Sequence, residues 1–410
     1  MKLKNRDVAL STIIMSILVA FYIDVKCINW TVVYGFLSGS EGGLMSLLYP
    51  AVVAAIFFVY VFSNIKKNVT FSKESIFLSI YLIFFFFITS TLVGPPRVSV
   101  PFFALFTIIG LLLANFTQID GRILIKAVMF LPCFGILRID RIFFMALDWV
   151  DVISMDASYA FLTPVLANIV YLFTFFKQEG KLSKYITVAI SAVNFVYFMR
   201  LFQFGSRGPL LAIFSLIAFL WAFKYSCERF SVMLDGKRLI TSIIVIVLIL
   251  ISINPLLDMM FSLMDSVGIQ SRAIEKVIRL SAEGDISNGR SDLKTLAIDG
   301  FYNNIVFGNG LDRFDANTSE AYPHNFILQT LYDGGLLLFA ILLIPMVRNI
   351  FRKFKNCSYD QYVVYTFLLF ASVPYALFSQ DMWENAILWV FIGVLYSKSF
   401  VKQKTLDNEV

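Results

Sequence analysis

The only histidine of the chain, His324, is the side chain best suited to move a proton near neutral pH. An unperturbed imidazole has a pKa of about 6.5. A lone histidine is more often structural, but His324 lies where a long polar segment meets an apolar one. We therefore expect His324 to act as a base, with its neighbours Tyr322 and Asn325 contacting the substrate.

Asp333 follows within the apolar segment that begins near Asn325. An ionisable side chain inside a membrane helix points to a functional site, so we expect Asp333 to contribute to substrate binding. The Gly334-Gly335 pair beside it predicts close packing of two helices.

Two arginines occur where an anion could bind. Arg207 is followed by Gly208-Pro209, and this proline predicts a helix whose first amides point towards the same place. The alternative is an interfacial arginine whose head group reaches water. Arg290 follows Asn288-Gly289, opens a second predicted helix, and could clamp an anion with its guanidinium group. A solvated loop position is the alternative for Arg290.

Further arginines could contact the same ligand. Arg200 precedes Arg207 by about two helical turns. Three others lie in the polar segment around Arg290, namely Arg272, Arg279 and Arg313. All four are candidate substrate-binding residues, although the acidic side chains of that segment could pair with the last three.

Missing motifs argue against several kinds of chemistry. One histidine and four scattered cysteines do not make an ordinary zinc site, and neither a Walker A motif nor G-x-S-x-G occurs. We therefore expect no metal and no cofactor. Without an ATP-binding element, a reaction needs a substrate that is already activated.

The composition indicates the setting of these residues. The 410-residue chain is 59% hydrophobic and 15% charged, with 44 phenylalanines, whereas soluble domains average about 45–50% apolar and about 25% charged residues. The chain is predicted to be an all-α polytopic membrane protein. Residues 8–23 lack a convincing cleavage site, so we expect a retained first span and not a signal peptide.

Twelve apolar segments are candidates for transmembrane helices, which need about 17–25 residues. They are residues 8–23, 45–62, 74–93, 101–116, 123–139, 157–176, 185–204, 208–223, 239–257, 325–347, 361–378 and 384–399.

Lysine and arginine are concentrated in every second gap between these segments. The positive-inside rule therefore predicts cytoplasmic termini, and it explains the net charge of +6 without nucleic acid. The predicted organisation is spans one to nine in residues 1–256, a periplasmic loop in 257–324, and spans ten to twelve with a short cytoplasmic tail in 325–410. Within the loop we expect short helices at residues 271–283 and 290–303.

These residues resemble the motifs of the O-antigen polymerase and O-antigen ligase superfamily. The resemblance covers about residues 205–338 and rests on the order of four loose motifs around one loop. They are Gly205-Ser206-Arg207-Gly208, Asn288-Gly289-Arg290, Phe307-Gly308-Asn309-Gly310, and Pro323-His324-Asn325 with Asp333 and Gly335. This chain departs from the family pattern by having Leu338 where a glycine is usual and Asp333 where glutamate is usual.

The resemblance implies a bacterial inner-membrane glycosyltransferase similar to the metal-independent GT-C class. Its donor would be an undecaprenyl-diphosphate-linked oligosaccharide at the periplasmic face, and the diphosphate would be the leaving group. Arg207 and Arg290 would hold the diphosphate, and His324 would be the base on the acceptor hydroxyl. Expected partners are this substrate, membrane lipid and a chain-length regulator protein, with no nucleic acid.

Three functions remain open from the sequence. A polymerase would join repeat units of a surface polysaccharide, and the strongly apolar first half favours this function by association. A ligase would transfer the glycan to the lipid A core. A flippase of the same lipid-linked glycan also suits twelve spans, but no repeated halves or matched broken helices are visible in the sequence.

Overall fold

The computed structural model describes residues 9–37, 43–64, 72–142, 151–201, 207–226, 231–238, 240–241, 244, 262, 266, 290–317, 322–397 and 400–401. The predicted span at residues 239–257 therefore lies almost entirely outside the described residues, and the predicted helix at 271–283 lies wholly outside them. The predicted helix at 290–303 is present as Arg290–Asn303.

The described chain is mostly helical, and we number its main helices and two strands in chain order. They are α1 Leu10–Ile23, α2 Val25–Ile28, α3 Gly43–Asn64, α4 Lys73–Leu92, α5 Val100–Phe116, α6 Gly121–Phe130, α7 Asp151–Thr174, α8 Lys181–Leu201, α9 Arg207–Ala222, β1 Phe223–Ser226, β2 Ser231–Leu234, α10 Arg290–Asn303, α11 Phe314–Asn317, α12 Phe326–Lys355, α13 Tyr359–Phe378 and α14 Ala386–Tyr396. π-helical turns continue α2 over Asn29–Leu37, and 3-10 turns continue α6 over Leu131–Arg138.

The helices agree with a membrane protein, but the predicted number of twelve spans is not confirmed. Among the described residues, five helices are long and apolar enough to cross a membrane, or six if one bent pair counts as a span. Several other predicted spans correspond to apolar helices of only 10–17 residues, such as Ala386–Tyr396. β1 and β2 form an antiparallel hairpin, a small addition to the expected all-α fold.

The first helix of the bent pair matches the predicted span at residues 8–23, whereas no helix was predicted for the second. α1 and the helical stretch Val25–Gly35 meet at an angle of 77°. Asp24 starts the second stretch because its Oδ1 accepts a hydrogen bond of 3.3 Å from the Cys27 amide. Trp30 is 1% exposed, so this stretch packs inside the molecule.

α7 and α13 lie at the centre of the bundle, whereas α4 and α8 lie at its edge. About 78% of the apolar window of α7 is buried, against 22% for α8. Phenylalanines project from the peripheral helices, for example Phe62 and Phe84 with 75% and 62% of their surfaces exposed. Exposed rings of this kind suit contact with lipid acyl chains.

Small residues let the helices approach closely. A side chain at Gly393 of α14 would overlap the Leu111 carbonyl of α5, and a Cβ at Gly110 would lie 3.0 Å from Trp389. Close contact between helices through glycine is typical of packing in membranes.

A buried ion-pair network closes the end of the bundle where α7 ends and α8 begins. Glu179 accepts hydrogen bonds from Lys126 at 2.7 Å and from Thr187 at 2.6 Å, and it also pairs with Arg122. Burial opposes ionisation of this carboxyl group, but these donors prevail and lower the pKa of Glu179 to about 2. We interpret this network as structural, because the candidate site lies at the opposite ends of these helices.

Candidate active site

α12 is broken at Gly335, and the break determines the shape of the candidate site. Gly335 has φ of 59° and ψ of −156°. Beyond it, the Leu336 amide donates to the Ile305 carbonyl at 2.8 Å, and the Leu337 amide donates to the Val306 carbonyl at 3.1 Å. The loop after α10 thus supplies the acceptors that the broken helix lacks.

The same loop satisfies the carbonyl groups before the break. The Asn309 amide donates to the Tyr332 carbonyl at 2.7 Å, and the Gly310 amide donates to the Asp333 carbonyl at 3.0 Å. A Cβ at Gly308 would lie 2.5 Å from the Gly334 amide nitrogen, so only glycine fits there. The Phe307-Gly308-Asn309-Gly310 motif and the glycine pair of α12 therefore form one structural unit.

This geometry corrects our interpretation of Gly335. The glycine pair was expected to allow close packing of two helices. Instead Gly335 adopts a left-handed conformation that ends one helical stretch and starts another, and its α carbon faces the Ile305 and Val306 carbonyls.

Asp333, the candidate just before this break, is fully buried. Its Oδ2 accepts a hydrogen bond of 2.6 Å from the indole of Trp383. Trp383 belongs to the turn between α13 and α14, residues 379–385, which we call the α13–α14 turn. Asp333 therefore positions this turn, and contact with substrate stays a prediction.

Gln329 of α12 fixes the same turn. Its amide nitrogen donates to Asp381 Oδ1 at 2.8 Å, and its oxygen accepts from the Met382 amide at 3.0 Å. Asp381 Oδ1 also accepts a hydrogen bond of 2.9 Å from the Trp383 amide. These contacts hold the Asp381 carboxylate in a defined orientation although it is almost fully buried.

Arg97, from the loop between α4 and α5, meets three carboxyl groups at this turn. It forms an ion pair with Asp381, and its other nitrogen–oxygen distances are 3.7 Å to Asp312 and 3.7 Å to Glu384. The Val98 amide donates to Asp312 Oδ2 at 2.6 Å. The cluster links the loop after α10 to both the α4–α5 loop and the α13–α14 turn.

One guanidinium cannot neutralise three carboxylates. Burial and the adjacent Asp381 raise the pKa of Asp312 to about 10, so Asp312 is protonated at neutral pH. Burial and Asp381 also raise the pKa of Glu384 above its usual range. Protonation of Asp312 reduces the negative charge around Arg97. The ion pair with Asp381 still holds this partly exposed side chain in place.

Tyr322 and His324 lie beside Arg97. The Tyr322 hydroxyl donates to the Ser379 carbonyl at 2.7 Å, and Arg97 Cζ is 5.9 Å from the centre of the Tyr322 ring. The imidazole of His324 is 4.4 Å from the same ring. Burial raises the pKa of Tyr322 to about 12, so its hydroxyl remains a donor. The Tyr322 ring therefore lies close to both His324 and Arg97, and the ion pair with Asp381 fixes the position of Arg97.

The backbone at His324 and Asn325 prepares the start of α12. His324 has a positive φ of 52°, which is uncommon for a residue with a side chain. Asn325 caps the helix, because its Oδ1 accepts hydrogen bonds from the Ile327 and Leu328 amides at 3.0 and 3.2 Å. The Asn325 oxygen is thus occupied by the helix, and its predicted role in substrate binding stays a prediction.

The start of α9 packs against Tyr159 of α7 and the end of α13. A side chain at Gly208 would overlap the Tyr159 hydroxyl and lie 3.6 Å from Phe378. The Tyr159 hydroxyl in turn donates to Ser379 Oγ at 2.6 Å. Since Tyr322 also bonds to Ser379, this residue joins the His324 loop to Tyr159, the residue against which the start of α9 packs.

The end of α10 and the loop after it pack against α12. Gly300 contacts the Tyr332 ring, and the next turns run beside the break in α12, so α10 and α12 run in the same direction. Arg290 precedes Gly300 by ten residues, or about 15 Å of helix, whereas Phe326 precedes Tyr332 by about 9 Å. Arg290 thus opens a helix that packs on α12, and its proximity to His324 stays a prediction.

The remaining predicted arginines have different positions. The side chains of Arg207 and Arg290 lie outside the described atoms, as do Arg272 and Arg279. Arg313 donates 2.8 Å to the Pro95 carbonyl and so anchors the α4–α5 loop. Arg200 is in the last turn of α8. Within the described residues, no group of three His, Cys, Asp or Glu could hold a metal ion.

Residues 192–343 match the family model described as O-antigen ligase. The resemblance to the O-antigen polymerase and ligase superfamily is confirmed. The match runs from α8 into α12 and contains Arg207, Arg290, His324 and Asp333. None of the curated proteins matches the chain. The Arg97 cluster lies partly outside the matched region, since Arg97 and Asp381 flank it on either side.

Sequence reasoning missed Arg97 and a second cation, Lys26, because neither belongs to a recognisable motif. Lys26 Nζ is 2.8 Å from Asp156 and 3.2 Å from the Tyr375 hydroxyl, at the same end of the bundle. One feature of the sequence could have identified Arg97 and Lys26. Each is the single basic residue of a gap that the positive-inside rule assigns to the outer side, and such an exception indicates a side chain with a specific partner.

Proposed function

We propose that this protein is a polysaccharide polymerase that joins undecaprenyl-diphosphate-linked repeat units at the periplasmic face of the bacterial inner membrane. The observation that carries the proposal is the convergence on Ser379. Tyr322, beside His324, and Tyr159, beside the start of α9, both bond to this residue. A candidate base and a candidate anion-binding helix start thus share one anchor.

The proposed reaction is a direct glycosyl transfer. His324 accepts the proton of the acceptor hydroxyl, whose oxygen forms a bond to the anomeric carbon of the donor sugar. The bond from that carbon to the diphosphate oxygen breaks, and undecaprenyl diphosphate leaves with the electron pair. A positioned base typically contributes about 10²–10⁴-fold to such a rate.

Arg207 and Arg290 are proposed to bind the diphosphate. Guanidinium groups pair with phosphate oxygens through two parallel hydrogen bonds, and both residues open helices whose first amides favour an anion. Stabilising the negative charge that develops on the leaving group is often the largest single contribution to catalysis.

Arg97 has a supporting role in this proposal. Because Asp381 and its neighbours hold Arg97, we expect the guanidinium to position the α13–α14 turn and the Tyr322 ring rather than to bind substrate. The α13–α14 turn then supports His324 through the hydrogen bond from Tyr322 to Ser379.

A ligase is the second candidate, and the family description favours it. The matching family is described as O-antigen ligase, and the two reactions share the donor, the leaving group and the need for a base. They differ in the acceptor, which is a second lipid-linked repeat unit for the polymerase and the lipid A core for the ligase.

The surface glycan profile of cells that lack the gene tests the proposal. A core carrying a single repeat unit is the expected result, since ligation still works without polymerisation. A core with no repeat unit would contradict the polymerase and favour the ligase, or a flippase that acts earlier. Complementation with the wild type should restore the full ladder.

Complementation with His324→Ala, Arg207→Ala or Arg290→Ala tests the assigned roles. Each variant should stay in the membrane, at levels verified by immunoblotting, and fail to restore the ladder. A full ladder from His324→Ala would make the histidine structural. Full ladders from both arginine variants would show that Arg207 and Arg290 are not needed to bind the diphosphate.

A further inference from the structure

A small pocket lies next to the candidate site, between α2, α7 and the α13–α14 turn. It is lined by Asp24, Lys26, Thr163, Gln380, Glu384 and Asn385, among others, and we call it the Lys26 pocket. About 20 Å³ of it admits water, within about 330 Å³ of space that extends to an open mouth. The first volume is enough for a water molecule, whereas the second includes open solvent in front of the mouth.

Three residues that line this pocket each carry a buried polar atom with no hydrogen-bond partner among the described residues. These atoms are Asp24 Oδ2, Gln380 Oε1 and Asn385 Nδ2. Their residues are only 4%, 8% and 1% exposed. An unpaired buried polar atom is unfavourable, and most such atoms in proteins are satisfied. Three of them around one pocket indicate that it receives a polar group.

The chemistry of the wall selects the kind of group. Two of the atoms are oxygens and the third is an amide nitrogen that donates, so the wall suits hydroxyl groups, which both donate and accept. Lys26 is already paired with Asp156. The carboxyl groups of Asp24 and Glu384 would disfavour a phosphate here.

The pocket also touches the candidate site on two sides. Glu384 lines it and lies 3.7 Å from Arg97. Tyr159 lines it too, stacks on Tyr375 with ring centres 3.9 Å apart, and bonds to Ser379. A ligand in the pocket would therefore contact Glu384 and Tyr159. These two residues in turn contact Arg97 and Ser379, which support His324 through Tyr322.

We propose that the Lys26 pocket binds the hydroxyl-bearing edge of a sugar ring of the lipid-linked repeat unit. The inference rests on the proposed function and adds a specificity-determining site to it. The narrow space fits one edge of a ring, whose hydroxyl groups would pair with Asp24, Gln380 and Asn385. Repeat units that present a different hydroxyl pattern at this edge would bind less tightly.

Two substitutions remove a pocket atom while keeping its residue's structural role. Asp24 and Asn385 each cap a helix with one side-chain oxygen, which accepts from the Cys27 amide and from the Leu388 amide respectively. Serine is an equally good cap. Asp24→Ser and Asn385→Ser therefore delete Asp24 Oδ2 and Asn385 Nδ2 and keep both caps. Asp120→Ser is the matched control, because Asp120 caps α6 at the other end of the bundle.

The measurement is binding to the purified full-length protein in lipid nanodiscs, followed by tryptophan fluorescence. The first probe is the free repeat-unit oligosaccharide released from the host's own lipid-linked intermediate, and the second is undecaprenyl diphosphate, which carries no sugar. We expect each pocket variant to bind the oligosaccharide about tenfold more weakly. Affinity for undecaprenyl diphosphate should not change, and Asp120→Ser should bind both probes like the wild type.

Oligosaccharide affinity equal to that of the wild type in both variants would overturn the inference, as would wild-type protein that binds undecaprenyl diphosphate but no oligosaccharide. The two variants lie on different elements, so one decides if the other does not fold. Failure of the proposed function has a different signature, because cells lacking the gene would then not carry a core with a single repeat unit, whatever the binding results.

Discussion

At the scale of single residues, the pairing of Arg97 with Asp312, Asp381 and Glu384 gives a stability prediction with a definite sign. The folded protein raises the pKa of Asp312 to about 10, whereas an unfolded aspartate has a pKa of about 3.9. Between these values the folded chain holds a proton that the unfolded chain has released. Stability should therefore fall as pH rises, by at most about 1.4 kcal/mol per pH unit for this group.

Asp312→Asn removes this pH dependence, since asparagine mimics the protonated acid without titrating. We expect its melting temperature relative to the wild type to increase between pH 6 and pH 9 in the same detergent. Asp381→Asn is the contrasting variant, because it removes the carboxylate paired directly with Arg97 and should destabilise at both pH values. An unchanged difference between Asp312→Asn and wild type would show that Asp312 is ionised in the fold.

The residues of the site differ in how far sequence could predict them. His324, Tyr322 and Asp333 stood out because each is polar at the edge of, or inside, an apolar segment. Arg97 and Asp381 are 284 positions apart, and only the folded chain brings them into contact. Likewise, the cap formed by Asn325 follows from the backbone at the start of α12, which sequence alone does not give.

At the scale of elements, the break in α12 predicts that Gly335 cannot be replaced. A Cβ there would lie 2.5 Å from the Val306 carbonyl oxygen and 2.6 Å from that of Ile305. The backbone of Gly335, with φ of 59° and ψ of −156°, lies in a region essentially restricted to glycine, which costs other residues about 1–3 kcal/mol. Gly335→Ala should therefore lower the melting temperature and expose the loop at residues 304–310 to limited proteolysis.

Gly180→Ala is the control for that experiment. A Cβ at Gly180 would meet no atom within 4 Å, so we expect no comparable effect. Equal stability of Gly335→Ala and wild type would mean that the loop does not depend on the break. Sequence predicted α12 itself, since its apolar segment is long, but not the break, because a glycine pair suits tight packing as well.

The contact between α9 and α7 gives a second prediction at this scale. A side chain at Gly208 would overlap the Tyr159 hydroxyl and push the start of α9, with Arg207, away from α7. Gly208→Ala should therefore shorten the glycan ladder in complemented cells. Tyr159→Phe removes the overlapping atom, so the double variant Gly208→Ala/Tyr159→Phe should be more active than Gly208→Ala. A double variant with no such recovery would argue against this contact as the cause.

At the scale of the whole molecule, hydropathy predicted a membrane protein and located most of its helices. Hydropathy could not predict the shapes of the helices, because an apolar segment has the same hydropathy whether its helix is straight, bent or broken. The bend after Asp24 brings Lys26 and Trp30 into the interior of the bundle. The apolar first half of the chain therefore contributes to the site, although its sequence matches no motif.

The two ends of the bundle lead to the last prediction, which concerns orientation. The candidate site gathers at one end and the Glu179 network lies at the other, and the positive-inside rule places the first end in the periplasm. Asp315 in α11 and Lys237 after β2 are both exposed and lie in gaps assigned to opposite sides. In a cysteine-free background, Asp315→Cys should react with a membrane-impermeant maleimide in intact cells with a permeabilised outer membrane. Lys237→Cys should react only after the inner membrane is opened. The reverse pattern would place the site in the cytoplasm, where a periplasmic polymerase cannot act, and the proposed function would fail with it.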